Sequence, residues 1–188
     1  MVLVQATDTR EVILDSSLTE IGRVGLRKLS LVDVARTAGV SRQTVYRYFR
    51  DRDELVAAVV RRDVEATLVA ARSATAGIAD LREALEVGIA VVLRRAREHP
   101  VLDALLATEG EVLVPFLTSS SSPVLRVARP VLEELVALRL PTLGVGRLHI
   151  FADAVARLLV SYTVSPPDLP IDDVAAAVAS ICVDGLAA

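Results

Sequence analysis

The chain has 188 residues, of which 53% are hydrophobic, 24% charged and 3% aromatic, and its formal net charge is −3. This composition excludes a disordered protein and indicates a sizeable aliphatic core. The sequence contains no stretch of about 18 uncharged apolar residues and no basic, apolar leader, so we expect neither a membrane span nor a secretory signal. The single cysteine, Cys182, cannot form an internal disulfide and fits a cytoplasmic protein.

Positive charge is concentrated in one short segment, although the chain as a whole is acidic. Residues 1–55 hold nine Lys or Arg and eight Asp or Glu, a net charge of +1, whereas residues 56–188 hold twelve and sixteen, a net charge of −4. Between residues 39 and 52, four arginines accompany a single acidic residue, Asp51. Because attraction to phosphate decays over a Debye length of about 10 Å, a local cluster can attract nucleic acid where the average charge does not.

Hydrophobic residues recur with a helical period along nearly the whole sequence, which predicts an all-α chain of roughly nine helices. The predicted helical segments, ten when the two short ones at 101–108 and 111–117 are counted separately, span about 9–21, 30–38, 41–49, 51–76, 80–99, 101–108, 111–117, 123–140, 146–162 and 171–186. Their expected N-terminal caps are Ser30, Ser41, Asp51, Asp80 and Ser122. Pro130 is expected to kink or divide the helix that contains it.

Residues 1–55 form a predicted helix-turn-helix domain, and residues 56–188 a second, larger helical domain. The second and third helices are separated by a tight turn at Gly39-Val40. On a wheel of 3.6 residues per turn, Val45 and Phe49 of the third helix point inward. Its outer face carries arginine, glutamine and tyrosine side chains, namely Arg42, Gln43, Tyr46 and Arg47.

This outer face has the chemistry that DNA recognition requires. Arginine can donate a bidentate pair of hydrogen bonds to guanine, glutamine can do so to adenine, and threonine or tyrosine hydroxyls suit phosphates. The alternative interpretation is a charged face that is merely solvated. The combination of a glycine turn, a serine cap, an apolar inner stripe and an acid-free outer face favours DNA binding.

The segment AGVSRQTVYRYFRDRDEL, from Ala38 to Leu55, resembles the DNA-binding motif of the TetR family of bacterial repressors. The resemblance covers about the first 55 residues at the level of a motif, and beyond them only the length and helical layout are similar. It implies DNA-backbone contacts by Ser30, Arg42, Thr44, Tyr46, Tyr48 and Arg52. It implies base contacts by Arg42, Gln43 and Arg47. Gln43 departs from the family pattern, which often has glycine there, and Arg52 replaces a usual lysine.

The resemblance further implies that the C-terminal helices hold an effector pocket and a homodimer interface. Helices 146–162 and 171–186 are apolar on nearly all sides, which independently indicates burial against a second subunit. The expected interface residues are Phe151, Val155, Leu158, Leu159, Val174, Val178 and Ile181. The expected pocket has an apolar lining of Leu105, Leu113, Phe116 and Leu125, with Glu109, Arg126 and Tyr162 as polar anchors.

These features predict a sequence-specific transcriptional repressor that is released from a palindromic, double-stranded DNA operator by a small, largely apolar effector. The alternative is a DNA-binding or architectural protein without an inducer, which a well-formed internal cavity would argue against. An enzyme is not expected, because the sequence has no catalytic constellation. We also expect no cofactor and no metal, since His99 and His149 lie far apart in sequence and neither has a second ligand nearby.

Overall fold

The computed structural model describes residues 2–119 and 122–187, with side chains from 9 to 119 and from 122 to 186. Met1, Ser120, Ser121 and Ala188 lie outside the described residues. The described residues form nine helices and no strand: α1 (Val2–Val24), α2 (Leu31–Thr37), α3 (Arg42–Tyr48), α4 (Arg52–Thr75), α5 (Leu81–Arg97), α6 (Leu102–Thr118), α7 (Pro123–Ala137), α8 (Val145–Val164) and α9 (Ile171–Ala187). The all-α prediction is confirmed. Over these same ranges, no helix is long and apolar enough to cross a bilayer.

Helices α1, α6 and α7 differ from their predicted extents. Helix α1 begins at Val2 and not near Thr9. The predicted pair at 101–108 and 111–117 is joined as α6, whose two halves meet at a kink where Glu109 has non-helical dihedral angles (φ −137°, ψ 28°), between the two predicted segments. Helix α7 contains Pro130 and is not divided there. Proline removes a single backbone hydrogen bond. The buried side chains Leu125 and Leu132 on either side of it hold α7 together against the core.

Helices α1, α2 and α3 pack around a small core that the first turn of α4 completes. The side chains of Ile13, Leu14, Val34, Val45 and Leu55 are fully buried in this core. Burial of a valine or leucine side chain stabilises a fold by about 1.5–3 kcal/mol. The three helices with the start of α4, which we call the N-terminal unit, are therefore held by their own apolar contacts.

The turn between α2 and α3 requires glycine. Gly39 has a φ of +66°, in the left-handed region that other residues avoid. The Gly39 N–H donates to Arg36 O at 3.2 Å and the Val40 N–H donates to Ala35 O at 3.0 Å. This is the Schellman arrangement, which satisfies the last carbonyls of α2 and turns the chain sharply into α3.

The predicted N-caps are confirmed. The side-chain oxygens of Ser30, Ser41, Asp51, Asp80 and Ser122 each accept a hydrogen bond from a backbone N–H in the first turn of the following helix. Ser122 is fully buried, and its hydroxyl also lies 2.8 Å from Phe116 O and 2.9 Å from Leu117 O. It therefore satisfies the end of α6 and the beginning of α7 together.

Helix α4 belongs to both halves of the molecule. The predicted boundary between residues 55 and 56 falls within its first turns, where Leu55 and Val56 are buried against α1. The rest of α4 packs against α5 and α7, and α9 and α8 cover the far sides of those two helices. The end of α4 is held by Arg139, whose guanidinium donates to Thr75 O at 2.8 Å and to Ile78 O at 2.7 Å.

A buried carboxylate ties α1 to α2. Glu20 is only 4% exposed, and its Oε1 accepts a hydrogen bond from the Thr37 hydroxyl at 2.6 Å. Its Oε2 accepts from Arg23 Nη2, also at 2.6 Å. The hydrogen bond from Arg23, followed by that from Thr37, holds the pKa of Glu20 below its ordinary value of 4.5. The carboxylate is therefore charged in the folded protein at neutral pH.

We expect Glu20→Gln to lower the free energy of unfolding by about 1 kcal/mol at pH 7, or about 2–4 °C in Tm, because it weakens charge-assisted hydrogen bonds. The folded-state pKa lies below the unfolded value, so this contribution is present above about pH 4.5. It is lost as the pH falls through the folded-state pKa. Thermal unfolding followed by circular dichroism should show the Tm difference shrinking as the pH falls from about 5 to about 3.

Glu65→Gln is the matched control, because Glu65 lies on the exposed face of α4. Its Tm should stay close to that of the wild type at pH 7. A Tm difference for Glu20→Gln that is the same at every pH would contradict the assigned role.

Candidate DNA-binding surface and internal cavity

The outer face of α3 is exposed to solvent. Arg42, Gln43, Tyr46 and Arg47 are all exposed, with 54% of the Tyr46 surface accessible. Val45, on the opposite side of the same helix, is fully buried. A helix of this size fits the major groove of DNA, so this face can reach base edges.

The remaining predicted DNA contacts lie at the ends of α2, α3 and α4. Ser30, Thr44, Tyr48 and Arg52 are half-buried. The Thr44 hydroxyl lies 2.8 Å from Ser41 Oγ, within the cap of α3. All eight side chains predicted to contact DNA are therefore at least partly accessible to solvent.

The arginines of this surface differ in their partners. Among the described residues, no carboxylate lies within ion-pair distance of Arg42 or Arg47, although the Arg47 guanidinium stacks 5.3 Å from the Tyr48 ring centroid. Arg52 is already engaged, since its Nη2 lies 3.0 Å from Asp53 Oδ1. An exposed pair of this kind is worth at most about 1 kcal/mol, so phosphate can displace Asp53.

Lys28, in the loop between α1 and α2, is a candidate phosphate contact that the sequence analysis did not identify. Lys28 is exposed, and its neighbour Arg27 places its carbonyl oxygen 3.5 Å from Arg52 Nη1. The loop therefore runs beside the start of α4, on the same side as Arg52. The available signal was the Arg27-Lys28 pair immediately before the cap at Ser30, which adds positive charge to the surface.

A cavity of about 170 Å³ lies between the N-terminal unit and helices α4 to α8. Its walls are almost wholly aliphatic. The lining comprises Leu18, Ile21, Leu26, Val56, Val59, Val60, Val64, Leu68, Val92, Ala96, Val101, Leu102, Leu105, Leu113, Leu117, Val124, Ala128, Ala156, Leu159 and Val160, with the polar residues Asp63, Thr67, Arg95, His99 and Thr163. A single water needs about 10–15 Å³ of such space, so the cavity suits an apolar molecule of roughly ten non-hydrogen atoms.

Four of the polar lining residues form two hydrogen-bonded pairs between α4 and the C-terminal end of α5, which we call the α4–α5 polar cluster. His99 Nε2 lies 3.2 Å from Asp63 Oδ2, and Arg95 Nε donates to the Thr67 hydroxyl at 3.4 Å. Across the described ranges, no carboxylate is within ion-pair distance of Arg95, so its other N–H groups can serve a ligand. The cavity thus combines aliphatic walls with one polar region.

Nowhere in the part of the chain that the structure describes do three His, Cys, Asp or Glu side chains converge as a metal site requires.

Two of the apolar residues expected in the pocket, Leu105 and Leu113, line the cavity. Phe116 and Leu125 pack into the core outside the lining. A step of one residue turns a helix by about 100°, so the neighbouring Val124 faces the cavity and Leu125 does not. Two of the four expected apolar residues therefore line this cavity.

The three polar anchors expected in the pocket lie elsewhere. Glu109 accepts a hydrogen bond from the backbone of the loop before α2. Arg126 is exposed on α7. Tyr162 borders a second, much smaller cavity of about 20 Å³. The polar groups that border the main cavity come from α4 and α5 instead.

Most of the expected interface residues lie inside a single subunit. Those buried within the chain's own core are Phe151, Val155, Leu159, Val174 and Val178. Leu158 is partly buried, whereas Ile181 is 70% exposed. The burial arises because α8 packs on α7 and α9 packs on α5. The outward faces of α8 and α9 leave Ile150 and Ile181 exposed.

The chain matches descriptions of one known family over two stretches. Residues 13–59 match "Bacterial regulatory proteins, tetR family", and residues 80–183 match "Bacterial Tetracyclin repressor, C-terminal domain". The second stretch alone covers more than half of the chain. The chain belongs to the TetR family of bacterial regulatory proteins, as its helix-turn-helix segment predicted.

Two relatives from Mycobacterium tuberculosis strain H37Rv are similar to the chain. One, an uncharacterized HTH-type transcriptional regulator, is 37% identical over 83 residues, which are 43% of this chain and 40% of that protein. The other, the HTH-type transcriptional regulator AlkX, is 26% identical over 146 residues, 77% of this chain and 69% of that protein. The matched stretch therefore spans less than half the length of the first relative.

Solved structures share the fold. The TetR family repressor AlkX from Dietzia sp. strain DQ12-45-1b superposes with a TM-score of 0.76 at 24% identity, covering 93% of this chain and 96% of that one. The regulator RolR in complex with resorcinol superposes with a TM-score of 0.66 at 18% identity, covering 94% and 88%. The arrangement of an N-terminal unit on a larger helical domain is thus common to these proteins.

We expect Ala156→Leu to raise the free energy of unfolding by about 0.5–2 kcal/mol, because Ala156 lines the cavity and its added carbons fill empty space. The matched control is Ala152→Leu, one turn earlier on α8. Ala152 is fully buried but lies outside the lining, so the larger side chain overpacks the core and costs about 1–3 kcal/mol. Denaturant unfolding followed by circular dichroism measures both, and equal destabilisation by the two variants would contradict an empty cavity at Ala156.

Proposed function

We propose that the chain is a homodimeric transcriptional repressor that binds a palindromic DNA operator and releases it when a small, largely aliphatic effector enters the cavity. In this proposal residues 1–55 bind DNA, and residues 56–188 bind the effector and the second subunit. The protein acts in the cytoplasm and catalyses no reaction.

The observation that carries the proposal is the position of the cavity. Leu18, Ile21 and Leu26 of its lining belong to the N-terminal unit that carries α3. A ligand in the cavity therefore contacts the DNA-binding part of the molecule directly. Because a ligand shifts a conformational equilibrium only through different affinities for the two states, such contact is what operator release requires. The cavity argues against the alternative, a DNA-binding or architectural protein without an inducer.

The exposed face of α3 supports docking in the major groove. In the proposed complex Arg42, Gln43 and Arg47 reach base edges. The phosphate contacts are made by Ser30, Thr44, Tyr46, Tyr48 and Arg52, with Lys28 added from the neighbouring loop. Two-fold symmetry of a dimer places the half-sites of an inverted repeat about 10 bp apart, or a multiple of that distance.

The shape and polarity of the cavity support an aliphatic effector with one polar group. Among the described residues, the walls hold no Phe, Tyr or Trp side chain for stacking, and Arg95 and Asp63 supply the polar region. The structural neighbour from Dietzia is a repressor implicated in the biodegradation of n-alkanes. That likeness supports a chain-like ligand here, with its polar group at the α4–α5 polar cluster.

The proposed dimer interface uses the outward faces of α8 and α9. Ile150, Ala154 and Leu158 recur at helical spacing along α8 and are exposed or half-buried. On α9 the exposed residues Ala177 and Ile181 follow the same spacing. Pairing of these faces would cover apolar surface that a monomer leaves in water.

Substitutions on the DNA-binding surface should separate base readers from phosphate contacts. Arg47→Ala should cost about 1–3 kcal/mol in operator affinity and relax the preference at one position of each half-site. Arg52→Ala should weaken binding to all sequences about equally and lower the salt slope by about one per protomer. Fluorescence anisotropy on DNA flanking the coding region, at several salt concentrations, measures both effects.

Arg61→Ala is the control, since Arg61 is exposed on α4 beyond the proposed surface. Tyr46→Phe removes one hydroxyl and keeps the ring. Unchanged affinity and salt slope in both Tyr46→Phe and Arg52→Ala would show that the docking is wrong.

A single, non-repeated DNase footprint on the operator, or a stable monomer in sedimentation at micromolar concentration, would contradict binding as a dimer.

Decan-1-ol should release the wild-type protein from its operator, because its aliphatic chain matches the walls and its hydroxyl the α4–α5 polar cluster. Ala156→Leu fills part of the same space, so we expect it to bind the operator normally and to need at least about tenfold more decan-1-ol for release. Resorcinol, a flat ring, serves as the comparison compound and should release far less. Release of wild type and Ala156→Leu at the same decan-1-ol concentration would place the effector outside this cavity.

A further inference from the structure

A carboxylate from α6 reaches the loop between α1 and α2. Glu109 Oε2 accepts a hydrogen bond from the Arg27 N–H at 2.8 Å, across 82 positions of sequence. Gly25 in the same loop has a φ of +81°, and a Cβ added there would overlap the Glu109 carboxylate. The Arg27 side chain also forms an ion pair with Glu111. We call the contacts of the Glu109 carboxylate with Gly25 and the Arg27 N–H the Glu109 link.

The α6 end of the link lies in the wall of the cavity. Leu105 and Leu113, four residues before and after Glu109, both line the cavity. Glu109 is also the residue at which α6 departs from helical geometry. A displacement of either half of α6 therefore moves the carboxylate relative to its partners.

The other end of the link lies beside the proposed DNA-binding surface. The Arg27 carbonyl oxygen is 3.5 Å from Arg52 Nη1, at the start of α4. Two residues after Arg27 the chain enters Leu29, which is buried, and then Ser30, the cap of α2. The backbone held by Glu109 is thus the segment that leads directly into the helix-turn-helix.

We propose that Glu109 is a positioning residue for the N-terminal unit. Its carboxylate holds the loop around Arg27 in the orientation that operator binding requires, and a ligand that displaces α6 acts on the DNA-binding surface through this bond. The inference rests on the proposed function, because it specifies how cavity and operator are coupled.

The chemistry of the contact suits this role. Apolar side chains slide over one another at little cost, whereas a hydrogen bond to a carboxylate is directional and weakens steeply with misalignment. Gly25 lets the backbone of the loop approach α6 closely enough to form it. The neighbouring ion pair of Arg27 with Glu111 joins two side chains that are each more than half exposed, so it contributes little.

The test compares Glu109→Ala, Glu109→Asp and Glu109→Gln with the control Glu111→Ala, all in the full-length chain. Three quantities are measured: amide hydrogen exchange of Arg27 by NMR, operator affinity by anisotropy, and the fold-change in that affinity caused by decan-1-ol. Far-UV circular dichroism and sedimentation establish that each variant keeps its fold and assembly.

We expect Glu109→Ala to speed Arg27 exchange about tenfold and to weaken operator binding about tenfold, as loss of a hydrogen bond to a charged group predicts. Decan-1-ol should then change operator affinity by less than about twofold, although it still enters the cavity. Glu109→Asp, whose side chain is shorter by one methylene, should show the same changes. If Glu109→Ala unfolds, Glu109→Asp replaces it in the comparison with wild type. Glu109→Gln keeps an oxygen acceptor and should stay within about threefold of wild type, and Glu111→Ala within about twofold.

Two results would overturn the proposal: unchanged Arg27 exchange in Glu109→Ala and Glu109→Asp, or faster exchange with unchanged operator affinity and unchanged response to decan-1-ol. A wild-type protein that binds no operator, or is not released by any cavity ligand, would instead refute the proposed function. In that case the exchange of Arg27 alone decides whether the Glu109 link exists, because that measurement needs neither DNA nor ligand.

Discussion

The structure depends on helix α4 being shared by two parts of the molecule. Its first turns bury Leu55 and Val56 against α1, its middle lines the cavity, and Arg139 holds its last turn. Its 24 residues form a continuous helix about 36 Å long. The N-terminal unit therefore cannot change its direction without disturbing the cavity wall. Glu109 adds a second, polar connection between the same two parts.

Much of the N-terminal unit could be predicted because its determinants are local. Ser41 and Asp51 accept hydrogen bonds from residues only three positions away, and Gly39 adopts a conformation that its own lack of a side chain permits. The outward face of α3 followed from the helical period alone, since buried Val45 fixes which side faces water. Signals of this range, one to four residues, are fully present in the sequence.

The cavity lining and the subunit contacts could not be predicted in the same way, because they depend on how each helix is rotated against distant neighbours. Apolarity on all sides of α8 could not tell whether Val155 meets its own chain or another, and the structure buries it against its own core. Glu109 was expected to serve as a polar anchor for a ligand in the pocket. Its partner, the Arg27 N–H, is a backbone group 82 positions away, and no pattern in the side chains marks it.

The aliphatic cavity also bears on how much of this protein a cell contains. Side chains around a void lack contacts on one side, so the ligand-free fold is less stable than the filled one. An effector at a hundred times its Kd would add about 2.7 kcal/mol to the free energy of unfolding and lower the unfolded fraction about a hundredfold. Proteases remove chains from that fraction. Under the proposed function, exposure to the effector would therefore lengthen the lifetime of the regulator while keeping it off DNA, and the accumulated protein would shut the target genes quickly once the effector is consumed.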